Sequence, residues 1–436
     1  MADLRVCKFG GTSVATAERL RAVQAICDAE PARRVVVPSA PGKAHCDDTK
    51  VTDLLYLAHE LASKQQPFDT IWRQIEARFT GLVVDLGLDL DLGPVLDEIR
   101  EAIAGGASAA YAASRGEAVN GRIVAALLGA RYVDAADVIR FGAAGRVAPA
   151  TFGLVREACA GTERVVIPGF YGSDRHGRVR TFTRGGSDVT GAVIAAAIDA
   201  TLYENWTDVP GVLATDPRIV TSARPITEIT YDELRELAYM GANVLHEEAV
   251  FPVRDKGIPI NIRSTGEPEH PGTVIVADRD VGDQVVVGIA GRAGFTVFQF
   301  HKPMMNSEVG FGRRVLDVFE RFGISYEHTP TGIDTMSVVV ADETLGEDRE
   351  EQILEDLRAA VKTDDITLLP GMALIATVGK GMNHNVGVAG RLFSALGKAA
   401  VNVRMIDQGS SEQNIIVGVD AADLPKAIQA IYEEFA

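Results

Sequence analysis

The first two thirds of the chain alternate between short apolar runs and longer segments whose apolar residues recur at helical spacing. The short runs are rich in Val and Ile and predict buried strands at Leu4–Phe9, Arg34–Ser39, Arg131–Asp134, Arg164–Phe170 and Thr201–Asn205. The helical spacing predicts helices at Ala17–Asp28, Thr52–Ser63, Val95–Ile103 and Glu117–Leu128. Such alternation is typical of an α/β fold, a mostly parallel sheet sandwiched by helices, in which ligands bind beyond the carboxyl ends of the strands.

The last part of the chain contains two copies of one pattern. Met305-Asn306 aligns with Met382-Asn383, and Val309-Gly310 aligns with Val386-Gly387. Each copy reads as strand, helix, strand, strand, helix, which is the ferredoxin-like order if a final strand comes from elsewhere. The repeat therefore predicts three domains, at 1–290, 291–365 and 366–436.

Charge and composition exclude several classes of protein. The 436 residues carry a formal net charge of −17, so the chain has no general attraction for nucleic acid or for anionic membranes. No apolar run is long enough to span a bilayer, and the four scattered cysteines argue against a disulfide framework or a zinc site. We therefore expect a cytoplasmic protein that holds any phosphate through a local cluster of positive groups and Mg²⁺.

The first predicted strand contains Lys8 and ends in a diglycine turn, Gly10-Gly11, within the run KFGGTS. A lysine among apolar neighbours is costly to bury unless an anion compensates its charge. Two glycines let backbone N–H groups approach that anion, and the following helix adds the positive end of its dipole. A tight turn alone explains the glycines but not the lysine, so we interpret the segment as a phosphate site.

A second turn of the same design, RGGSD at Arg184–Asp188, precedes the apolar helix Val189–Ile198. Ser187 could simply cap that helix, but a cap requires neither Arg184 nor a second pair of glycines. We expect the two diglycine turns to face each other across one cleft, one carrying Lys8 and the other Asp188.

The remaining polar segments are less specific. Thr207–Gly211 follows the last predicted strand, and its Asp-x-Pro-Gly run indicates either a plain turn or a ligand loop. Ser114–Glu117 interrupts an Ala-rich helical region, where a glutamate is more often a surface charge. The sequence has neither a P-loop nor a zincin motif, and its eight histidines form no ligand pattern, so no protein metal site is predicted.

Four of these segments together resemble the aspartate kinases, members of the amino-acid kinase family that carry two C-terminal ACT domains. The segments are KFGGTSV at Lys8–Val14, FTRGGSD at Phe182–Asp188, WTDVPGV at Trp206–Val212 and TDPR at Thr215–Arg218. The resemblance covers nearly the whole chain. It implies transfer of the γ-phosphoryl group of MgATP to the β-carboxylate of L-aspartate, giving 4-phospho-L-aspartate, the first step of lysine, threonine and methionine biosynthesis.

The resemblance also implies roles for residues. Lys8 contacts the transferring phosphoryl group and Asp188 orients Lys8, while no general base is needed because a carboxylate is already ionised at pH 7. Arg184 grips the α-carboxylate of aspartate and Glu117 holds its ammonium. The further aspartate contacts are Ser39, Thr52, Phe170 and Ser187. The ATP contacts are Lys8, Gly10, Gly11, Thr207, Asp208, Asp216, Arg218 and Asn243, with Gly185 and Gly186 as further backbone donors.

Three features depart from the commonest family pattern. Leu213 stands where many members have a nucleotide-side tyrosine, and Asn243 stands where many have a phosphate-side lysine. Residues 41–51 look like an insertion, in which Lys43 or Lys50 is a candidate to replace the lost charge.

The ACT resemblance implies feedback control by an amino acid of the aspartate pathway, lysine or threonine. Candidate effector contacts are Asn306, Ser307, Asp334 and Asn383, although an asparagine before a helix is also a common cap. ACT modules usually pair their sheets side by side, so a homodimer or a higher homo-oligomer is expected. The repeat could also serve assembly alone, because a fold by itself does not establish a function.

Two other functions fit the same residues. A relative that phosphorylates another carboxylate, such as glutamate, usually lacks the paired ACT tail and the RGGSD spacing. An amino-acid sensor with an inactive kinase half is motivated by Asn243 and Leu213, but such a protein would have no need of Lys8 and Asp188.

Overall fold

The computed structural model describes residues 3–142, 145–183, 185–241, 245, 250–282, 284–346, 349–363, 365–409 and 411–436. Its backbone contacts divide the chain into two compact units. The first consists of Met1–Val212, Pro225–Tyr231 and Asn243–Arg279, and the second of Leu213–Arg224, Asp232–Ala242 and Asp280–Ala436. Two short segments ahead of residue 280 thus pack with the C-terminal part of the chain. The division into three domains, with bounds at 290 and 365, stays a prediction.

The secondary structure alternates through the first unit as the sequence predicts. In the described residues the strands are β1 Arg5–Phe9, β2 Arg33–Pro38, β3 Arg131–Tyr132, β4 Val165–Val166, β5 Tyr171–Ser173, β6 Val179–Thr181, β7 Leu202–Thr207, β8 Glu228–Thr230, β9 Ile260–Ser264, β10 Thr273–Val276, β11 Gly288–His301, β12 Thr335–Ala341, β13 Asp365–Val378, β14 Met405–Asp407 and β15 Asn414–Asp420. The helices are α1 Ala17–Ala29, α2 Val51–Ser63, α3 Asp69–Leu86, α4 Gly93–Ala104, α5 Ala109–Leu128, α6 Ala135–Val138, α7 Ala150–Ala158, α8 Gly186–Ala197, α9 Tyr231–Tyr239, α10 Phe251–Arg254, α11 Phe311–Arg321, α12 Asp342–Leu345, α13 Glu350–Val361, α14 Val388–Lys398 and α15 Leu424–Phe435.

The first unit is built on a sheet with the strand order β3-β4-β2-β1-β7-β9-β10-β8. Neighbouring strands run parallel except β9 and β10, which pair antiparallel. Strand β1 lies between β2 and β7, and its apolar residues are buried on both faces, as its continuous apolar run requires. The predicted α/β fold is therefore confirmed, with β1 at the centre of its sheet.

One predicted strand is much shorter than its apolar run. Residues 164–170 were expected to be extended, but β4 contains only Val165 and Val166. Pro168 has no N–H to donate to a neighbouring strand, and Phe170 adopts a φ of +78°, which turns the chain into β5.

Helix α1 begins at Ala17, as the sequence analysis expected, but it does not follow the first diglycine turn directly. A short 3₁₀ turn at Thr12–Val14 follows Gly11, and α1 begins only at Ala17. The side chain of Thr16 accepts a hydrogen bond from the backbone N–H of Arg19, so the helix is capped by its own residue. An anion at Gly10-Gly11 is thus not adjacent to the first turn of this helix.

Helix α5 is continuous through Ser114–Glu117, which were expected to interrupt it. Gly116 lets the helix pack closely on the chain that follows β2, because a Cβ at this position would lie 2.8 Å from the Cβ of Ala40. Asn120, one turn further on, donates from Nδ2 to the carbonyl of Ser39 at 2.7 Å. The helix thereby places Glu117 beside the carboxyl end of β2.

The second unit contains a sheet with the order β12-β11-β13-β15-β14, in which all neighbours are antiparallel. The two longest strands pair along their whole length: residues 295–301 of β11 pair with 365–372 of β13, and 288–293 pair with 373–378. Each long strand therefore serves as the first strand of one module and as an edge strand of the other. This arrangement supplies the final strand that the sequence analysis expected from elsewhere, and it confirms two ferredoxin-like modules.

The core of the first unit lies under the face of β1 that carries Cys7 and Phe9, where residues of α1 to α5 are buried together. All four cysteines are free thiols, and Cys7, Cys27 and Cys159 are buried. Within the described ranges, no helix combines the length and apolar character needed to cross a membrane.

Candidate active site

Lys8 lies near the carboxyl end of β1 and is paired with a carboxylate. Its Nζ is 2.5 Å from Oδ1 of Asp188, which belongs to the first turn of α8. The side chains of Lys8 and Asp188 are only 10% and 16% exposed, so little water screens the pair. The predicted meeting of the lysine of one diglycine turn with the aspartate of the other is therefore present in the structure.

Strand β7 supports this pair with two residues that the sequence analysis did not single out. Asn205 lies opposite Lys8 in the parallel register, where its Oδ1 accepts from Lys8 Nζ at 3.3 Å and its Nδ2 donates to Asp188 Oδ1 at 3.0 Å. Tyr203 donates from its hydroxyl to the backbone carbonyl of Asp188 at 3.0 Å. The signal was an asparagine and a tyrosine, spaced to share one face, within a buried strand.

The first diglycine turn is held by backbone contacts. The N–H of Gly10 donates to the carbonyl of Trp206 at 3.0 Å, so this amide is already paired rather than directed at a ligand. The carbonyl of Gly11 accepts from the N–H of Gly42 at 2.8 Å. A Cβ on Gly11 would lie 3.0 Å from the carbonyl oxygen of Ala40, which explains why the chain has glycine there.

The second diglycine turn begins α8 with Gly185 at a φ of +57°, a conformation that glycine adopts without strain. Ser187 lies inside the first turn and does not cap the helix, so the alternative interpretation of this serine is wrong. A Cβ on Gly169 would be 2.6 Å from Oγ of Ser187, which brings Ser187 against the chain leading to Phe170. The N–H of Phe170 donates to Oγ1 of Thr190 at 3.0 Å, which ties this turn to α8.

A pocket of about 340 Å³ brings together three of the residues assigned to aspartate, Ser39, Thr52 and Glu117. Its other walls come from the first diglycine turn and from the segment after β2: Gly11, Thr12, Ala40, Pro41, Gly42, Lys43 and Lys50. The described part of its lining thus carries one carboxylate and two ammonium groups.

Glu117 is the buried carboxyl group of this pocket. It is 6% exposed, and its Oε2 has no hydrogen-bond partner among the described residues. Burial raises the pKa of Glu117 to about 8, although the amides of Ala40 and Glu117 and the charge of Arg115 act in the opposite direction. A buried carboxyl group with an unpaired oxygen is suited to receive a cation from a ligand.

Asp208 lines a second pocket, of about 520 Å³, together with Thr12, Glu18, Arg19, Ala22, Thr265 and Gly266. Oγ1 of Thr207 donates to Oδ1 of Asp208 at 3.2 Å, so the two residues assigned to ATP adjoin each other at the carboxyl end of β7. Thr12, which directly follows the first diglycine turn, lines both pockets.

Comparisons with known proteins now bear on this geometry. A model described as the amino acid kinase family matches residues 3–264, and an ACT domain model matches residues 375–435. The chain is 38% identical to "Aspartokinase 3" of Bacillus subtilis (strain 168) over 99% of this chain and 98% of that protein. The chain belongs to the aspartokinase family. It is also 31% identical to "Aspartokinase 1, chloroplastic" of Arabidopsis thaliana, over 99% of this chain and 80% of that protein.

Solved structures agree with this assignment. The crystal structure of Clostridium acetobutylicum aspartate kinase is similar to this chain with a TM-score of 0.93 and 46% sequence identity, and the match covers 100% of both chains. Aspartokinase III of E. coli in complex with aspartate and ADP has a TM-score of 0.76 at 26% identity, with 99% of both chains covered. The fold and the enzyme class predicted from the sequence are thereby confirmed.

In this aspartokinase, two of the residues assigned to ATP belong to the second unit. Asp216 and Arg218 lie in the segment Leu213–Arg224, where Arg218 Nη2 is 2.6 Å from Asp216 Oδ2. The hydrogen bond from Arg218 lowers the pKa of Asp216, whereas the guanidinium itself is largely exposed. Arg184 and Asn243, assigned to aspartate and to ATP, lie outside the described residues.

Three of the four candidate effector residues lie close together in the first ACT module. Asp334 Oδ1 accepts from the N–H of Met304 at 2.7 Å, and Ser307 Oγ donates to the carbonyl of Met304 at 2.8 Å. The N–H of Asn306 donates to the carbonyl of Ile333 at 3.0 Å, which joins the two loops. In the second module, Oδ1 of Asn383 is buried without a hydrogen-bond partner among the described residues.

Proposed function

We propose that this aspartokinase transfers the γ-phosphoryl group of MgATP to the β-carboxylate of L-aspartate and gives 4-phospho-L-aspartate and ADP. The observation that carries the proposal is the largely buried pair of Lys8 and Asp188 near the carboxyl end of β1, together with a pocket lined by Gly11 of the first diglycine turn and by the buried Glu117. The E. coli relative solved with aspartate and ADP supports the same pair of ligands.

The reaction requires little covalent chemistry from the protein. A β-carboxylate oxygen attacks the γ-phosphorus, the bond from that phosphorus to the β,γ-bridging oxygen breaks, and ADP leaves with the electron pair. The attacking carboxylate is ionised at neutral pH, so no proton has to be removed from it. Catalysis therefore rests on positioning the two substrates and on stabilising the charge of the transferring group.

The predicted residues then have the following parts in this proposal. Lys8 contacts the transferring phosphoryl group, and Asp188 with Asn205 fixes the direction of its ammonium. Glu117 receives the ammonium of aspartate, and Arg184 its α-carboxylate. The remaining aspartate contacts are Ser39, Thr52, Phe170 and Ser187, and the remaining ATP contacts are Gly11, Thr207, Asp208, Asp216, Arg218 and Asn243. Gly10 belongs to the same turn as Gly11, but its amide is paired with the carbonyl of Trp206 and is not a donor to ATP.

Magnesium enters this proposal as part of the nucleotide substrate. No group of three or more His, Cys, Asp or Glu in the described parts of the chain is arranged to hold a metal ion by itself. Mg²⁺ bound to ATP needs only one or two protein carboxylates, because phosphates and water supply its other ligands. Asp188 remains partly exposed beside Lys8 and fits that requirement.

The regulation and setting of the enzyme are part of the same proposal. Lysine or threonine acts on the ACT modules, with Asn306, Ser307, Asp334 and Asn383 as contacts, and the modules pair in a homodimer or a higher oligomer. The E. coli relative solved with lysine and aspartate, at a TM-score of 0.76 and 27% identity, supports lysine as the first effector to test. Four free cysteines support a reducing, cytoplasmic setting.

One assay tests the reaction directly. Acyl phosphates react with hydroxylamine, so we expect hydroxamate to accumulate when the protein is given MgATP and aspartate, and not when aspartate is replaced by glutamate. The same assay with lysine or threonine tests feedback. Product from glutamate instead of aspartate would point to a different acceptor, and no product from either would leave a sensor with an inactive kinase half.

A further inference from the structure

The segment 40–50, here named the lysine loop, forms one wall of the aspartate pocket. It follows β2 and contributes Ala40, Pro41, Gly42, Lys43 and Lys50 to the lining. Glu117 lies in the same lining and is buried, whereas both lysines are exposed at the rim. The lining therefore combines one carboxyl group with two lysine side chains, of which Lys43 donates from Nζ to the carbonyl of Cys46 at 3.4 Å.

The start of the lysine loop is fixed to the first diglycine turn. Gly42 donates its N–H to the carbonyl of Gly11 at 2.8 Å, and a Cβ on Gly42 would be 2.7 Å from the carbonyl carbon of Gly11. Arg19 of α1 donates from one Nη1 to the carbonyls of Thr12 at 3.0 Å and Lys43 at 3.3 Å. These contacts thus fix the position of the Lys43 backbone relative to the turn that contains Gly10 and Gly11.

Arg78 of α3 binds the rest of the lysine loop through contacts with Gly42 and Asp48, here named the Arg78 clasp. Its Nη2 donates to the carbonyl of Gly42 at 2.7 Å, and its Nη1 is 2.5 Å from Oδ2 of Asp48. The same Asp48 oxygen accepts from the N–H of Ala44 at 2.8 Å, which closes the loop on itself. The Arg78 and Asp48 side chains are only 20% and 16% exposed, so this clasp is a built feature of the segment.

The charges of the pocket call for such cations. Lys8 is already compensated by Asp188, and Glu117 matches the single ammonium of an amino acid. A dicarboxylic amino acid brings two carboxylates, of which the α-carboxylate is proposed to pair with Arg184, and phosphoryl transfer adds further negative charge beside the other. From these placements we infer that Lys43 and Lys50 are substrate-binding residues that attract and hold the carboxylates of the acceptor, with Arg78 as the positioning residue of their loop. This inference rests on the proposed acceptor, aspartate.

The test compares lysine variants that keep the length of the side chain and remove its charge. For Lys43→Met and Lys50→Met we expect the KM for aspartate to rise about fivefold each, and roughly 20-fold in the double variant, with the KM for MgATP unchanged. Because rim charges are screened by salt, the KM of the parent protein should rise with ionic strength more steeply than that of the double variant. Lys43→Arg and Lys50→Arg keep the charge and should keep most of the affinity for aspartate.

A matched control removes the same charge at the opposite end of α2 from Lys50. Lys64→Met lies at the end of α2, where Lys64 pairs with Glu60 on an exposed surface, and we expect no change in either KM. Arg78→Met leaves both lysines in place but releases the clasp, so the KM for aspartate should rise without loss of kcat at saturation.

Three outcomes would overturn the inference. The double variant could match Lys64→Met in its KM for aspartate, or only the KM for MgATP could move, which would place the lysines on the nucleotide side. Alternatively, Lys43→Arg and Lys50→Arg could fold normally and still raise the KM for aspartate as much as the methionine variants do. Absence of aspartate-dependent turnover in the parent protein would instead refute the proposed function, so the two failures can be told apart.

Discussion

At the scale of single residues, the proposed chemistry depends on an ammonium group, that of Lys8, which the fold keeps largely out of water. Lys8 contacts Asp188 and Asn205 from the middle strand of a buried sheet, and its neighbours Cys7 and Phe9 are fully buried. A lysine in this position is preorganised, because its direction is set before any ligand binds. Such donors are worth most when they are aimed at charge that develops during the reaction.

We therefore expect Lys8→Met to lower kcat by about 100- to 1,000-fold, while the KM for aspartate changes little. The substitution also leaves the Asp188 carboxylate without its cation, so some stability is lost, and thermal unfolding has to be measured beside turnover. Lys8→Arg keeps the charge in a different geometry and serves as the comparison. A Lys8→Met protein that folds and turns over at the normal rate would remove Lys8 from the reaction.

Glu117 predicts a pH dependence of substrate binding. Burial raises its pKa to about 8, so at neutral pH the empty pocket holds mostly the protonated acid. The ammonium of aspartate pairs only with the carboxylate, and binding below pH 8 must therefore release a proton. We expect the KM for aspartate to fall between pH 6 and pH 8, by at most about tenfold per unit, and to level off above.

The controls for this prediction are a variant and a second substrate. In Glu117→Gln the KM for aspartate should be higher and nearly flat from pH 6 to pH 9, and the KM for MgATP should not follow the same curve. The folded-state pKa lies above the usual value of 4.5, so the contribution of Glu117 to stability is present below that value and is lost as pH rises through about 8. A pH profile that survives in Glu117→Gln would assign the proton to another group.

At the scale of elements, the site is made by close approaches between a helix and the ends of strands. Helix α5 touches the chain after β2 at Gly116, where a Cβ would lie 2.8 Å from that of Ala40. The next residue is Glu117, so the separation of α5 from this chain affects the pocket that is proposed for aspartate.

Gly116→Ala tests this contact against helix propensity. Alanine normally stabilises a helix by about 1 kcal/mol over glycine, but here overpacking should cost about 1–3 kcal/mol and raise the KM for aspartate. Gly81→Ala in α3 is the matched control, because nothing lies within 4 Å of its added Cβ, and it should stabilise the protein slightly. Denaturant unfolding of both variants decides the matter, and a Gly116→Ala protein as stable as Gly81→Ala would contradict the packing argument.

The elements themselves were largely predictable, since period and turn chemistry are local properties. The predicted helix Ala17–Asp28 is α1, and the two diglycine turns meet through Lys8 and Asp188 as expected. What failed was decided by tertiary contacts. The role of Asn205 was not evident from the sequence, because its partners come from β1 and α8. Helix α5 is unbroken because it is buried against the segment around Ala40, which its own sequence does not indicate.

At the scale of the whole molecule, the unexpected feature is the composition of the second unit. It includes Leu213–Arg224 and Asp232–Ala242, which the sequence analysis placed in the kinase domain. Within this unit, the N–H of Lys380 donates to Oε1 of Glu233 at 2.8 Å, and Asn414 Nδ2 donates to Oε2 of Glu236 at 2.5 Å. Such pairings join segments far apart in the sequence, so no local pattern indicates them.

The last helix of the chain supports the segment that carries Asp216 and Arg218. The hydroxyl of Tyr432 in α15 accepts from the N–H of Arg224 at 2.9 Å and donates to the carbonyl of Ser222 at 3.1 Å. Tyr432 is 7% exposed, so its loss leaves two backbone groups without a partner in a place that water reaches poorly. The segment that ends at Arg224 then loses one of its attachments at that end, where Arg224 Nη2 still donates to the carbonyl of Val286 at 3.0 Å.

Tyr432→Phe should therefore destabilise the protein by about 1–3 kcal/mol and raise the KM for MgATP, while the KM for aspartate stays constant. The change removes a single oxygen far along the chain from every residue assigned to aspartate. Tyr326→Phe, at a half-exposed side chain, is the control and should alter neither quantity. If Tyr432→Phe lowered stability but left the KM for MgATP unchanged, Asp216 and Arg218 would not be nucleotide contacts, because their segment would have been loosened without consequence for ATP.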